Sequence, residues 1–299
     1  MNILAIDIGG SKIAAGIVDG GGNVLFSVKE NLPEGTNADS LLSVIKNKCD
    51  EIAGKINFDF DKIGVTIPGL ADAKNGIWVY APFSGIKNFP IAEKIKAIYK
   101  KRVYIENDVN ACAVGEKYFG CCKDVDDFIW ITVSNGIGGS VFADGKLYTG
   151  YNGNAGEFGH IKVRDDDEFL CGCGGYGCVE AVAAGPGIKK RYGGTLSAEQ
   201  IAAEARKGDI TAIKVMYETG YYIGRALSAA INILNPEMAV FGGGVSQSFD
   251  LIEPGIKDAL ARYMFTAANR DVKIRQTALA YNAALIGAAA IATEGKNIN

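Results

Sequence analysis

The sequence has no excess of basic residues, no long apolar run and no low-complexity stretch. Its 31 lysines and arginines stand against 34 acidic residues, for a net charge of −3, which argues against a polyanionic partner such as nucleic acid. The weakly polar run at residues 283–292 is too short to span a bilayer, so we expect no association with membranes. The first residues resemble a buried strand and show no basic leader. This pattern predicts a cytoplasmic protein.

Histidine is nearly absent, because His160 is the only one, and the seven cysteines are an odd number. Such cysteine usage fits a reducing compartment better than a disulfide framework. Three cysteines, Cys171, Cys173 and Cys178, follow His160 in a glycine-rich stretch. Three thiolates and one imidazole suffice for a tetrahedral Zn²⁺, around which glycines let a short loop fold. Since four ligands leave no open position, the sequence predicts a structural zinc site. A glycine-rich hairpin with incidental buried thiols is the alternative.

Apolar runs and helical periodicity alternate along the chain and predict an α/β protein. The predicted strands are residues 2–8, 12–18, 23–29, 63–67, 103–105, 128–133 and 238–241. The predicted helices are residues 38–55, about 90–100, 282–293 and more than one helix within 197–234. The length of 299 residues allows two domains or one large one. No low-complexity linker divides the chain, so two domains would share a tight hinge.

Two polar glycine turns follow apolar strands, one at residues 7–12 and one at residues 132–139. In the first, two glycines allow N–H groups to point at an anion, Ser11 and Lys12 add donors, and Asp7 could hold a phosphate-bound Mg²⁺ through water. It is not a Walker A loop, which has four residues between its glycines. A tight hairpin with a polar tip is the alternative for this short motif. Because the second turn repeats the plan of the first, the sequence predicts a duplicated fold with two phosphate-binding hairpins.

Two polar residues, Asn107 and Asp108, lie where a predicted strand ends and a helix begins. Proteins of the α/β class place ligand-binding groups at this position. Asp108 could be a plain helix N-cap, or its carboxylate could take a proton from a hydroxyl group. A third glycine turn, at residues 242–244, follows the predicted strand at 238–241 and would let the backbone approach a flat ligand closely.

Taken together, these motifs resemble the ROK family of sugar kinases and sugar-responsive regulators. The resemblance covers nearly the whole chain and rests on residues 7–12, 106–110, 136–139, 154–160, 171–180 and 241–244. It implies an actin-like, hexokinase-type (ribonuclease H-like) duplicated α/β fold with two domains around a cleft. The smaller N-terminal domain would comprise residues 1–112 with 283–299, and the larger domain with the zinc loop would comprise residues 113–282.

The resemblance also implies a role for each motif residue. Asp108 would be the general base, and the zinc ligands would be His160, Cys171, Cys173 and Cys178. The sugar would contact Gly69, Asn107, Asp108, Glu157, His160 and Glu180. The zinc loop would hold Glu157 and Glu180 in place. ATP and its Mg²⁺ would contact Asp7, Gly9, Gly10, Ser11, Lys12, Thr132, Asn135, Gly136, Gly243 and Gly244. By the same resemblance we expect a homodimer that binds a small-molecule sugar and ATP.

Three positions depart from the family's usual pattern. Ser134-Asn135 replaces a Gly-Thr pair, so nucleotide preference stays open, and Phe83 replaces an asparagine at the rim of the sugar pocket. Residues 183–187 replace a small polar turn. These changes bear on specificity and leave Asp108 and the zinc ligands intact.

We therefore expect an ATP-dependent kinase that converts glucose to glucose 6-phosphate. The alternatives within this class are kinases for N-acetylmannosamine, N-acetylglucosamine, fructose, mannose or a β-glucoside. A sugar-sensing regulator is disfavoured because the first strand begins at residue 2, without a preceding DNA-binding module. The acidic balance disfavours a zinc-dependent nucleic-acid binder, and an intact Asp108 disfavours an inactive scaffold.

Overall fold

Strands that end in polar turns form the framework of the fold in the computed structural model, which describes residues 1–33, 35–55, 59–81, 85–266, 269 and 271–294. Contacts divide the chain into two units. The first comprises Met1–Asp124, Lys146–Ala155 and Ala278–Asn299, and the second comprises Val125–Gly145 and Gly156–Thr277. The boundaries that the sequence suggested, at residues 112 and 283, stay a proposal, and Phe83 lies outside the described residues.

The strands, in chain order, are β1 (Asn2–Ile8), β2 (Lys12–Asp19), β3 (Val24–Asn31), β4 (Lys62–Ile67), β5 (Leu70–Asp72), β6 (Ile77–Tyr80), β7 (Lys87–Phe89), β8 (Arg102–Asn107), β9 (Phe128–Val133), β10 (Ile137–Ala143), β11 (Lys146–Tyr148), β12 (Met238–Gly242) and β13 (Lys273–Gln276). The helices are α1 (Ala38–Lys55), α2 (Ile91–Tyr99), α3 (Asp108–Phe119), α4 (Val179–Ala183), α5 (Gly185–Tyr192), α6 (Ala198–Arg206), α7 (Ile210–Leu234), α8 (Phe249–Tyr263) and α9 (Ala283–Glu294). Among the described residues, none of these helices is both long and apolar enough to cross a membrane.

The first unit is built on a five-stranded sheet with the order β3-β2-β1-β4-β8. Strands β1, β2 and β3 form an antiparallel meander, whereas β1, β4 and β8 run parallel. Side chains alternate across β1, so that Leu4, Ile6 and Ile8 join the core that contains α1, while Ile3 and Ala5 face α9. The parallel strands bring their carboxyl ends, each followed by polar residues, to one edge of the sheet.

Helix α9 packs against this sheet through residues with little or no side chain. A Cβ atom on Gly64 of β4 would collide with the Ala288 carbonyl group, and one on Gly287 would collide with the backbone of Ala111 in α3. Ala288 and Ala292 are fully buried. The alanine-rich composition of α9 is therefore a packing requirement, since larger side chains would push α9 away from β4 and α3.

The second unit repeats this plan. Strand β9 pairs with β10 in an antiparallel hairpin and with β12 in parallel, and β12 pairs in parallel with β13. Helices α7 and α8 cover the sheet. They approach each other closely at Gly224 of α7, where a Cβ atom would lie 2.7 Å from the Ile256 carbonyl oxygen of α8. The hairpin of β1 and β2 in the first unit thus has its counterpart in β9 and β10.

Candidate functional site

Polar residues at the carboxyl ends of β1, β4 and β8 form the first half of the candidate site. The strand register aligns Asp7 with Thr66 and Thr66 with Glu106. Thr66 donates a hydrogen bond from Oγ1 to Asp7 Oδ1 at 2.7 Å, and burial raises the pKa of Asp7 above its ordinary value. A carboxylate in this position gains from a partner that carries positive charge.

Asn107 closes the junction between β8 and α3. Its Oδ1 accepts hydrogen bonds from the backbone N–H groups of Val109 at 2.9 Å and Asn110 at 3.1 Å, which makes it the N-cap of α3. Its Nδ2 donates to the Gly69 carbonyl oxygen at 2.9 Å. The reading of Asp108 as a plain N-cap is therefore wrong, because Asn107 fills that role and Asp108 is the first residue of the helix.

The carboxyl group of Asp108 is set up to accept a proton near neutral pH. Burial raises its pKa to about 7, and the negative charge of nearby Asp7 adds to the shift. The hydrogen bond that its Oδ1 accepts from the Val109 N–H at 3.0 Å only partly offsets these effects. A carboxylate with a pKa close to the working pH is suited to general base catalysis.

Glu106 is a part of this junction that the sequence reading missed. It is buried and accepts hydrogen bonds through Oε1 from the Asn107 N–H at 2.9 Å and from Asn110 Nδ2 at 3.2 Å. Burial raises its pKa. The spacing of four residues between Glu106 and Asn110 could have predicted this contact, since it lets the two side chains meet where the strand is followed by the helix.

The turn between β1 and β2 leaves its tip exposed. Gly9 donates its N–H to the Lys12 carbonyl oxygen at 2.8 Å, and Gly10, Ser11 and Lys12 are exposed. An exposed glycine turn with a hydroxyl and an ammonium side chain is a suitable environment for a phosphate group.

The four expected zinc ligands lie together in the second unit. The ligand atoms of His160, Cys171, Cys173 and Cys178 are all within 4.8 Å of one another. Cys171 Sγ lies 3.5 Å from His160 Nδ1, and Cys173 Sγ lies 3.7 Å from Cys178 Sγ. Zn–S bonds of about 2.3 Å and a Zn–N bond of about 2.0 Å at tetrahedral angles require separations of about 3.5 and 3.8 Å. The donor set and these two separations therefore fit a tetrahedral Zn²⁺.

The two glutamates that flank the cysteines have different surroundings. Glu157 is largely exposed, and its Oε2 lies 3.7 Å from His160 Nε2, the ring nitrogen opposite the one that faces the cysteines. Glu180 lies in the first turn of α4, where its Oε2 accepts a hydrogen bond from the Ile137 N–H at 3.0 Å. Glu180 thus contacts the turn between β9 and β10, a contact that the sequence reading did not include.

The glycines after β12 bring that strand's end close to β9. Gly243 has a φ of +88°, which glycine adopts without strain, and a Cβ atom there would lie 2.5 Å from the Val133 carbonyl oxygen and 2.9 Å from Thr132 Oγ1. Gly244 faces Ser134 Oγ. Thr132, Ser134, Gly243 and Gly244 therefore form one polar edge, and the expected site residues fall into two groups, one within each unit.

The family model for ROK matches residues 3–295. The chain belongs to the ROK family. It is 28% identical over 314 residues to a glucokinase of Thermotoga maritima, with 98% of each chain covered. It is also 28% identical over 304 residues to an N-acetylglucosamine repressor of Escherichia coli O157:H7, covering 96% of this chain and 74% of the repressor.

Among solved ROK structures, the fold is similar to that of a glucokinase from Streptomyces griseus in complex with glucose and AMPPNP. That match has a TM-score of 0.86 and 30% identity and covers 99% of this chain and 100% of the other. The expectation of an actin-like, hexokinase-type α/β fold is confirmed, as is membership of the ROK family.

The raised pKa of Asp108 makes a prediction about stability. Its pKa is about 7 in the folded protein and about 3.9 in the unfolded chain, so the folded state binds the proton more tightly. Stability should therefore fall as the pH rises from about 4 to about 7. Asp108→Asn removes this loss, so the variant should gain about 1–4 kcal/mol on the unchanged protein across that range.

Urea unfolding at pH 5 and pH 8 measures the difference. Asp124→Asn, a substitution at an exposed aspartate, is the matched control. Its free energy of unfolding should differ from that of the unchanged protein by the same amount at both pH values. If the difference in unfolding free energy between Asp108→Asn and the unchanged protein is also independent of pH, the folded protein does not disfavour the ionised form of Asp108.

Proposed function

We propose that the protein transfers the γ-phosphoryl group of ATP to the 6-hydroxyl of glucose. That it is an ATP-dependent sugar kinase of the ROK family follows from its relatives, whereas the choice of sugar and the residue roles are the proposal. The observation that carries it is Asp108, a partly buried carboxyl group with a pKa of about 7 at the start of α3. A sugar hydroxyl is a poor nucleophile, and a base of this kind near the strand ends is what its activation requires.

In the proposed reaction, Asp108 Oδ accepts the hydroxyl proton while the sugar oxygen bonds to the γ-phosphorus and the bond to the β-phosphate oxygen breaks. Asn107 orients the sugar hydroxyl, because its Nδ2 has a second hydrogen beyond the one given to Gly69. The exposed turn at Gly10–Lys12 holds the phosphates together with Thr132, Gly243 and Gly244 of the polar edge and with Asn135 and Gly136 of the turn between β9 and β10. Asp7 would hold Mg²⁺ through water, and the ion would neutralise charge on the triphosphate.

Glu157, His160 and Glu180 are the proposed contacts to the end of the sugar away from Asp108. Carboxylates accept hydrogen bonds from paired hydroxyl groups, and Glu157 already lies beside His160. A structural zinc at His160 and the three cysteines would fix both the imidazole ring and the start of α4. The ion would supply folding free energy by closing the loop.

A second function has support from the repressor among the relatives. A sugar-sensing regulator needs sugar contacts and does not need a base, so the protonation behaviour of Asp108 bears on the choice between the two. Its pKa near 7 costs folding free energy at neutral pH, which catalysis explains and sensing does not. We therefore favour the kinase. A homodimer and a cytoplasmic location also stay proposals.

Replacing Asp108 by asparagine tests the base. Asp108→Asn keeps the shape and removes the basicity, so kcat should fall by about 10²–10⁴-fold while sugar binding is largely retained. In the unchanged protein, kcat/KM should rise with pH up to about 7, where Asp108 loses its proton, and then level off. A coupled assay of ADP release between pH 5.5 and 9 measures both. Turnover within a few-fold of the unchanged protein would rule out this role.

The substrate follows from a panel of sugars. Glucose should give a higher kcat/KM than N-acetylglucosamine, N-acetylmannosamine, mannose or fructose, and clearly higher than 2-deoxyglucose. The preference over the other sugars is the one suggested by the glucokinases among its relatives. The preference over 2-deoxyglucose has a physical reason, since a site built on hydrogen bonds to hydroxyl groups penalises an analogue that lacks one. Phosphorus NMR should place the phosphate at carbon 6. A tenfold preference for an acetylated sugar would overturn glucose as the substrate and leave the kinase standing.

The zinc site can be tested without reference to activity. The purified protein should contain about one zinc per chain by elemental analysis, and Cys173→Ser should lower both the zinc content and Tm, because a structural zinc contributes folding free energy directly. Cys121→Ser, at a cysteine outside the cluster, should leave the zinc content unchanged. Fully folded, active protein without zinc would contradict the assignment.

A further inference from the structure

The turn between β9 and β10, residues 134–136, is tied at both ends to the helical segment α4–α5. At one end the Ile137 N–H donates to Glu180 Oε2 at 3.0 Å. At the other, the Gly185 N–H donates to the Ser134 carbonyl oxygen at 2.8 Å, and the Ser134 N–H closes the turn on the Gly136 carbonyl oxygen at 2.8 Å. The position of this turn therefore depends on α4 and α5 as well as on the hairpin.

Gly136 gives independent evidence that the Glu180 carboxylate belongs in this place. Its φ lies outside the left-handed region, so the backbone conformation does not require glycine. A Cβ atom there would lie 2.7 Å from Glu180 Oε2, which is too close for a carbon atom and an oxygen atom. Glycine at position 136 thus makes room for the carboxylate beneath the turn.

The cysteine cluster determines where Glu180 lies. Cys178 is the residue immediately before α4, and Glu180 follows it in the first turn of that helix. The Val179 N–H donates to the Ile161 carbonyl oxygen at 2.9 Å, which ties the start of α4 to the segment after His160. Cys171 Sγ lies 3.8 Å from Glu180 Oε1. One carboxylate oxygen therefore faces the cluster and the other holds the turn.

We propose that Glu180 is a positioning residue for the nucleotide: its bond to Ile137 fixes the β9–β10 turn in the form that takes the phosphates of ATP. This rests on the proposed function, which assigns Asn135 and Gly136 to the nucleotide. Because Ile137 gives its N–H to Glu180, the N–H groups left for a phosphate are those of Asn135 and Gly136. Glu180 would thereby affect the binding of ATP as well as that of the sugar, whereas a residue that only contacts the sugar would not affect the binding of ATP.

Binding of AMPPNP to the sugar-free protein, measured by calorimetry, tests this. Glu180→Ala removes the acceptor and should weaken AMPPNP binding by about 5- to 30-fold. Glu180→Gln keeps an oxygen that can accept the Ile137 N–H and should restore binding to within about threefold. Glu157→Ala is the matched control, because Glu157 is also a proposed sugar contact and its carboxylate lies beside His160 Nε2, whereas the Ile137 N–H is bonded to Glu180. It should bind AMPPNP like the unchanged protein.

Gly136→Ala approaches the same contact from the other side and should reproduce the loss of Glu180→Ala, since its Cβ atom displaces the carboxylate. Circular dichroism and zinc content identify variants that are folded. Unchanged AMPPNP binding by folded Glu180→Ala overturns this inference and leaves the kinase intact, and equal losses for Glu157→Ala and Glu180→Ala also overturn it. If the unchanged protein does not bind AMPPNP, the proposed function fails together with the inference.

Discussion

The hydrogen bonds of Asn107 are the constraint on which the first half of the site depends. One side chain caps α3 through Oδ1 and reaches the Gly69 backbone through Nδ2, so it fixes the strand-to-helix junction and the neighbouring loop together. Buried Glu106 accepts a hydrogen bond from the Asn107 N–H, which further fixes this junction. Asp108 is thereby placed at the first helical position, where desolvation and the charge of Asp7 raise its pKa.

In the second unit, close contacts between backbone atoms, rather than side-chain hydrogen bonds, fix the position of the segment that carries His160. A Cβ atom on Gly159 would collide with the Ile137 carbonyl group, and a Cβ atom on Gly139 would lie 2.6 Å from Phe158 Cβ. The segment that carries His160 therefore packs closely against the start of β10, and Gly139 and Gly159 are needed for this close approach rather than for a left-handed backbone conformation. A metal at the cysteines would stabilise one side of this contact and the sheet the other.

Much of this could be read from the sequence, because the determining patterns are local. Apolar runs located β1 and β9, the alanine-rich end located α9, and the single histidine with three cysteines indicated the cluster. The choice between Asn107 and Asp108 as N-cap could not be made, since both residue types cap helices well. The bond from Ile137 to Glu180 joins residues 43 positions apart, and no local pattern encodes such a contact.

Desolvation raises the pKa values of Asp7, Glu106 and Asp108, of which Glu106 is buried and the two aspartates are partly buried, yet their partners give them different chemistry. Glu106 is bonded by an N–H and an amide group and serves the backbone. Asp7 accepts a hydrogen bond from the Thr66 hydroxyl through Oδ1, and Oδ2 is the oxygen that the proposed contact to Mg²⁺ would use. Asp108 has the negative charge of Asp7 nearby, and its hydrogen bonds offset the desolvation only in part. Its carboxylate therefore takes up a proton near neutral pH, and this is the property that a base for a sugar hydroxyl needs.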